Sequence, residues 1–128
     1  MPRGLPRWLT GRMEIQTKRV YDEPAASDGF RVLVDRLWPR GLSKEKADID
    51  LWAKDIAPSA ELRKAFHHGG MPFDEFVKAY RAELRGNAAE VAKLRDEIAG
   101  RDVVTLLYAM NDTEHNHAGL VRDALAPA

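Results

Sequence analysis

The sequence predicts a small α/β protein, an open and mainly parallel sheet of about three to four strands covered by four to five helices. Three observations predict it. Residues 30–37 and 103–110 are apolar, β-branched runs that read as strands buried on both faces. The segments between and after them carry the 3.6-residue apolar period of amphipathic helices. The chain of 128 residues is 45% apolar, enough for one core without metal or disulfide support.

Each element has its own signal. Residues 14–21 alternate apolar and polar side chains (Ile15, Thr17, Arg19, Tyr21), the period of a first strand. Residues 22–29, with Pro24, Ser27, Asp28 and Gly29, are turn material. The second strand, 30–37, is ended by Pro39 and Gly41, and Ser43 is an N-cap for a short helical turn through Ala47. Residues 48–58 admit two readings: Ile49, Leu51 and Ala53 alternate, whereas Trp52 and Ile56 fit a helix. Ser59 then caps a helix with Leu62 and Phe66 on one face, stopped by Gly69-Gly70. Over 72–85 the apolar residues Phe73, Phe76, Val77, Tyr80 and Leu84 mark an amphipathic helix, with Gly86 suited to its left-handed C′ position. Asn87 and Glu90 resemble a capping box for a helix with Val91, Leu94 and Ile98 inward, closed by Gly100. The strand at 103–110 and a final helix with Ala118, Leu120, Val121 and Leu125 complete the order.

Composition narrows the function. With no cysteine, thiolate nucleophiles and cysteine-based metal sites are excluded. Twenty basic and twenty acidic residues argue against a nucleic-acid coat. Less the three arginines of the first twelve residues, 17 basic side chains face 20 acidic ones in the body, so any positive site there is local. No run approaches the ~20 apolar residues of a membrane span, and a cytoplasmic protein without membrane association is expected. Residues 1–12 read as a flexible extension, with Met13 as a natural start, and residues 13–128 as one domain.

In open α/β sheets ligands sit beyond the carboxyl ends of the strands, here the segments 36–41 and 108–117. Arg36, Trp38 and Arg40 leave the first of these. Two guanidiniums beside an indole suit a phosphate or carboxylate, the indole stacking on a flat group. The structural alternative pairs Arg36 with Asp35 or a helix carboxylate and packs Trp38 in a corner. Arg63 and His67 share a helix face with Ser59, which reads first as a cap. The helix C-terminus beside His67 and His68 favours protonated imidazoles. Tyr108, late in its strand, has a hydroxyl within reach of the crevice. In Glu114-His115-Asn116-His117, His117 is a candidate acid–base group. With Asp112 the same turn offers a divalent-metal reading, although i and i+2 point apart on a helix. No Gly-x-Gly-x-x-Gly, Walker or His-Glu-x-x-His spacing is present.

Lys18-Arg19-Val20-Tyr21 and the run from Asp28 through Asp35-Arg36-Leu37-Trp38-Pro39-Arg40-Gly41 resemble the opening of the YeaO-like family, bacterial proteins placed under a domain of unknown function. Trp52 to Ser59, Glu61 to His67, Tyr80 to Leu84, Thr105 to Tyr108 and Asn116-His117-Ala118 follow the same pattern in order, so the resemblance spans residues 13–125. It also implies a more distant likeness to a wider group with a Cys-His-Arg triplet near the last helix. There this chain reads Asn116-His117-Ala118, so thiol chemistry is lost while His117 remains.

The leading expectation is a strand-end pocket for a small phosphate- or carboxylate-bearing molecule. Arg36, Trp38, Arg40, Trp52, Arg63, His67 and Asn116 would hold the ligand, and His117 with Tyr108 would handle protons. Neither the reaction nor a cofactor is specified. The alternatives are a nucleic-acid or protein interaction module, which the neutral charge disfavours, and a metal- or haem-binding protein using His67, His115 and His117.

Overall fold

The structure, a computed structural model, describes residues 13–126. The extension expected over residues 1–12 lies outside the described residues. The strands β1 (Glu14–Arg19), β2 (Phe30–Leu33), β3 (Leu51–Trp52) and β4 (Val103–Tyr108) form one sheet in the order β1-β4-β2-β3, and every pairing is parallel. Five helices accompany them among the described residues: α1 (Lys44–Ala47), α2 (Ala60–His67), α3 (Phe73–Gly86), α4 (Ala88–Ile98) and α5 (Ala118–Leu125). None is long and apolar enough to cross a membrane.

The period of two sorts the central strands onto two faces. Val32, Val104, Leu106 and Tyr108 join Leu62, Phe76, Tyr80, Leu94 and Val121 of the helices in the larger core. Leu33 and Leu107 point the other way, meeting Val20 and the partly buried Trp38, Leu42 and Ile49 from the loops. That second face also carries a polar row. Gln16, Thr105 and Arg31 lie in register across β1, β4 and β2, and the crossover from β1 to β2 lays Asp28 on them. Asp28 accepts from Arg31 and Lys18 (3.1 Å to the latter), and its carbonyl accepts from Thr105 Oγ1 at 2.6 Å. Gln16 Nε2 donates to Thr105 Oγ1 at 2.9 Å. Burial alone would raise the carboxyl pKa of Asp28; the Ala25 N–H and the two cations outweigh it and hold the group below the ordinary aspartate value.

Local chemistry sets the remaining boundaries. Ser43 and Ser59 are N-caps as expected, accepting from the backbone N–H of Lys46 and Leu62. The ambiguous stretch 48–58 holds both β3 and a single 3₁₀ turn at Lys54–Ile56. The second strand is shorter than 30–37. Its neighbour β3 offers two residues, and after the bond from Val34 N to Leu107 O the chain turns away. The helix ending expected at Gly86 differs as well. Only Asn87 separates α3 from α4, so Gly86 stays helical instead of taking a left-handed turn. Asn87 forms no capping box; its side chain donates to Asp55 O at 3.0 Å. Gly29 is required. At φ +63 its backbone lies so close to β4 that a Cβ would stand 2.3 Å from the carbonyl oxygen of Val103.

Candidate functional site

With all strands parallel, β2 and β4 end side by side, and the chain leaves them in different directions. A cavity of about 420 Å³ opens at this edge. Arg36, Trp38 and Arg40 line it from the segment after β2, Arg63 and His67 from α2, and His117 from the start of α5, with Phe66, Phe76, Leu37 and Met110 as apolar wall. Six side chains singled out in the sequence therefore share one cavity.

Trp52, Tyr108 and Asn116 stand outside this lining. Trp52 packs edge-on against Trp38, with centroids 5.5 Å apart, and its indole N–H donates to Asp35 O at 2.8 Å. Tyr108 is buried, and loss of hydration pushes its hydroxyl pKa up. Asn116 is buried too: its Oδ1 accepts from Ala118 N at 3.1 Å and its Nδ2 donates to Asp112 O at 3.0 Å, ordering the entry to α5.

The loop after β2 is pinned at several points. Trp38 donates to Leu42 O at 2.7 Å, and the Tyr21 hydroxyl donates to Arg40 O at 2.9 Å. Arg19 fastens the end of β4 through Met110 O and Asn111 Oδ1, both at 3.0 Å. Sequence reasoning missed Tyr21 and Arg19 as positioning residues, because their alternation marks only a strand face.

His117 and Asp35 form a fixed pair. Nε2 of His117 lies 2.9 Å from Val34 O and 3.1 Å from Asp35 Oδ1. Both are acceptors, so Nε2 carries hydrogen and Nδ1 of the neutral ring is the acceptor. Nδ1 has no hydrogen-bond partner among the described residues. The second oxygen of Asp35 accepts from Ala109 N at 2.9 Å, so the strand ends and α5 are tied together through this carboxylate. The pairing of Asp35 with Arg36 considered from the sequence is not formed.

The two inner arginines are under-satisfied. Arg36 donates from Nη2 to Ala57 O at 3.3 Å, while its Nε is buried without a partner. Arg63 also buries an unpartnered Nε, and its guanidinium makes no hydrogen bond to the described residues. Among those residues no carboxylate forms an ion pair with Arg36, Arg40 or Arg63. A buried donor left unmade costs about 1–3 kcal/mol.

At the rim, partial burial against Phe66 and then the Arg63 charge lower the pKa of His67, with His117 and His68 acting the same way and Asp35 opposing them. The helix C-terminus was expected to favour the protonated ring; burial, and after it the Arg63 charge, prevail. His115 is turned to Asp112, Nδ1 to Oδ2 at 3.0 Å, and packs edge-on to Phe73. Among the described residues no group of three or more His, Cys, Asp or Glu side chains is placed to hold a metal ion.

Over residues 14–128 the chain matches the family described as the inactive DUF488-N3 subclade. It is 49% identical over 113 residues to the uncharacterized protein YeaO of Escherichia coli K12, covering 88% of this chain and 97% of that protein. It is 42% identical over 111 residues to uncharacterized proteins of Mycobacterium bovis and Mycobacterium tuberculosis, covering 87% of this chain and 92% of each relative. No solved structure matches it.

Proposed function

Because the chain belongs to the inactive DUF488-N3 subclade, the family that includes YeaO-like proteins of uncharacterized role, we propose binding as its function: the strand-end cavity takes up a small anionic molecule bearing phosphate or carboxylate. One observation carries this reading. Two guanidiniums from different elements, Arg36 and Arg63, line the same cavity with buried Nε atoms that no protein acceptor satisfies. An oxyanion restores those donors and neutralises the charge. Arg40 adds a third cation at the mouth, and the Asp35-held ring of His117 lines the same cavity.

The test is calorimetric titration of the whole chain with inorganic phosphate and sulfate, alongside Arg36→Ala. Saturable binding by the natural chain, with at least a tenfold loss in the variant and little loss of thermal stability, supports the reading. Loss of stability equal to the loss of binding would make the arginine structural, and absence of binding to any small anion would remove the proposal.

A second reading, proton transfer by His117, is favoured by the Asp35–His117 pair, which fixes the tautomer and leaves Nδ1 unpartnered. Release of free phosphate from a bound monoester, lost in His117→Gln, would establish it. A ligand recovered unchanged keeps the site a binder.

A further inference from the structure

We infer that the natural ligand is a dianionic phosphate monoester carrying an apolar or aromatic group, with the phosphate at Arg36 and Arg63 and the organic part against Phe66, Met110 and Leu37. This rests on the anion-binding reading and specifies the ligand class.

Charge selects the dianion. Three guanidiniums (Arg36, Arg40, Arg63) line the cavity against one carboxylate, Asp35, giving +2 with the histidines neutral. Asp35 is already engaged by His117 and by Ala109 N. A single carboxylate ligand would leave one positive charge uncompensated in a partly desolvated site, whereas a phosphate monoester carries about −1.5 to −2 at neutral pH. It also presents three terminal oxygens, enough to accept from two guanidiniums approaching from separate elements.

Volume and lining select the organic part. A lone phosphate takes the room of roughly three waters, about 90 Å³ at ~30 Å³ per water. The cavity offers about 420 Å³, so most of it lies beyond the phosphate. Hydrocarbon and aromatic rings make up much of the wall there, beside the imidazoles of His67 and His68. Phe66 is stacked on Phe76 with centroids 4.5 Å apart, and Met110 and Leu37 complete the wall. Leu37 stands 60% exposed at the mouth, where its side chain is open to a ligand. A hydrophilic ester such as a sugar phosphate would leave this wall unmatched.

The experiment titrates the full chain with inorganic phosphate, methyl phosphate, phenyl phosphate and benzoate, and repeats the phenyl phosphate series with Leu37→Ser. The proposal expects phenyl phosphate to bind at least tenfold more tightly than inorganic phosphate, methyl phosphate or benzoate, about 1.4 kcal/mol. It expects Leu37→Ser, a change at an exposed position, to weaken phenyl phosphate several-fold while leaving inorganic phosphate unchanged. Equal affinity for all three phosphates overturns the apolar part, and equal affinity for benzoate and phenyl phosphate overturns the dianion; in both cases anion binding itself stands. Failure of all four probes overturns this inference and the anion-binding reading together.

Discussion

Replacing Arg63 with methionine should make the apo protein more stable and the anion response vanish. The arginine lies partly buried on α2, keeps its Nε out of water with no acceptor, and shares a cavity with two further guanidiniums. Methionine keeps the unbranched stem and packs against the same apolar neighbours, while removing the orphaned donor and the like-charge repulsion. The donor alone costs about 1–3 kcal/mol. Allowing for lost contacts of the longer chain, the net gain is about 1 kcal/mol. For a domain of this length that is a rise in Tm of roughly 3–5 °C. The natural chain, by contrast, should gain about 2.7 kcal/mol when an anion is present at a hundred times its Kd. The assay is thermal unfolding of both proteins with and without phosphate. A variant that melts several degrees lower than the natural chain, or that still responds fully to phosphate, would refute the claim that Arg63 is held in tension for a ligand.

Asp28→Ala should cost about 3–5 kcal/mol, since it leaves the buried Arg31 and the partly buried Lys18 without their carboxylate; urea unfolding measures it, and a loss below about 1 kcal/mol would show the network to be dispensable. Because the pKa of His67 is depressed in the folded chain, the unfolded chain binds the proton more readily, so its stability contribution is intact above about pH 6.5 and is lost as pH falls through the folded value. His67→Gln should flatten the stability profile in that window, and proton NMR should show the His67 midpoint below 6.5 and rising when phosphate is added.

Much of the fold is legible because each element declares itself over several residues. The apolar run 103–110, the face Phe73, Phe76, Val77, Tyr80, Leu84 and the serine caps all act locally and are found, the strand ending two residues early at Tyr108. The failures are tertiary. Asn87 has the letters of a capping box, but α3 runs almost unbroken into α4 and Asp55 O claims its amide. Six candidate residues converge on one cavity because strand ends in a parallel sheet must lie together. Trp52, Tyr108 and Asn116 have equally suggestive positions and lie outside its lining; which way a side chain leaves the backbone at a strand end is decided by neighbours distant in sequence. Asp35, read as a partner for Arg36, is claimed by His117, 82 positions along the chain.

The strand order has a consequence for how the chain is made. Among the described residues β4 is the last strand in sequence yet lies between β1 and β2, and β1 pairs with no other strand. Thr105 on β4 also anchors the β1–β2 crossover. A ribosome that has not passed residue 108 has therefore released β1 and the apolar β2 with nothing between them. Such a chain folds late and in one concerted step, as expected where pairings join distant segments. Until then its unpaired strands are exposed to association with other nascent chains, and a truncation before β4 yields an aggregating product rather than a smaller folded one.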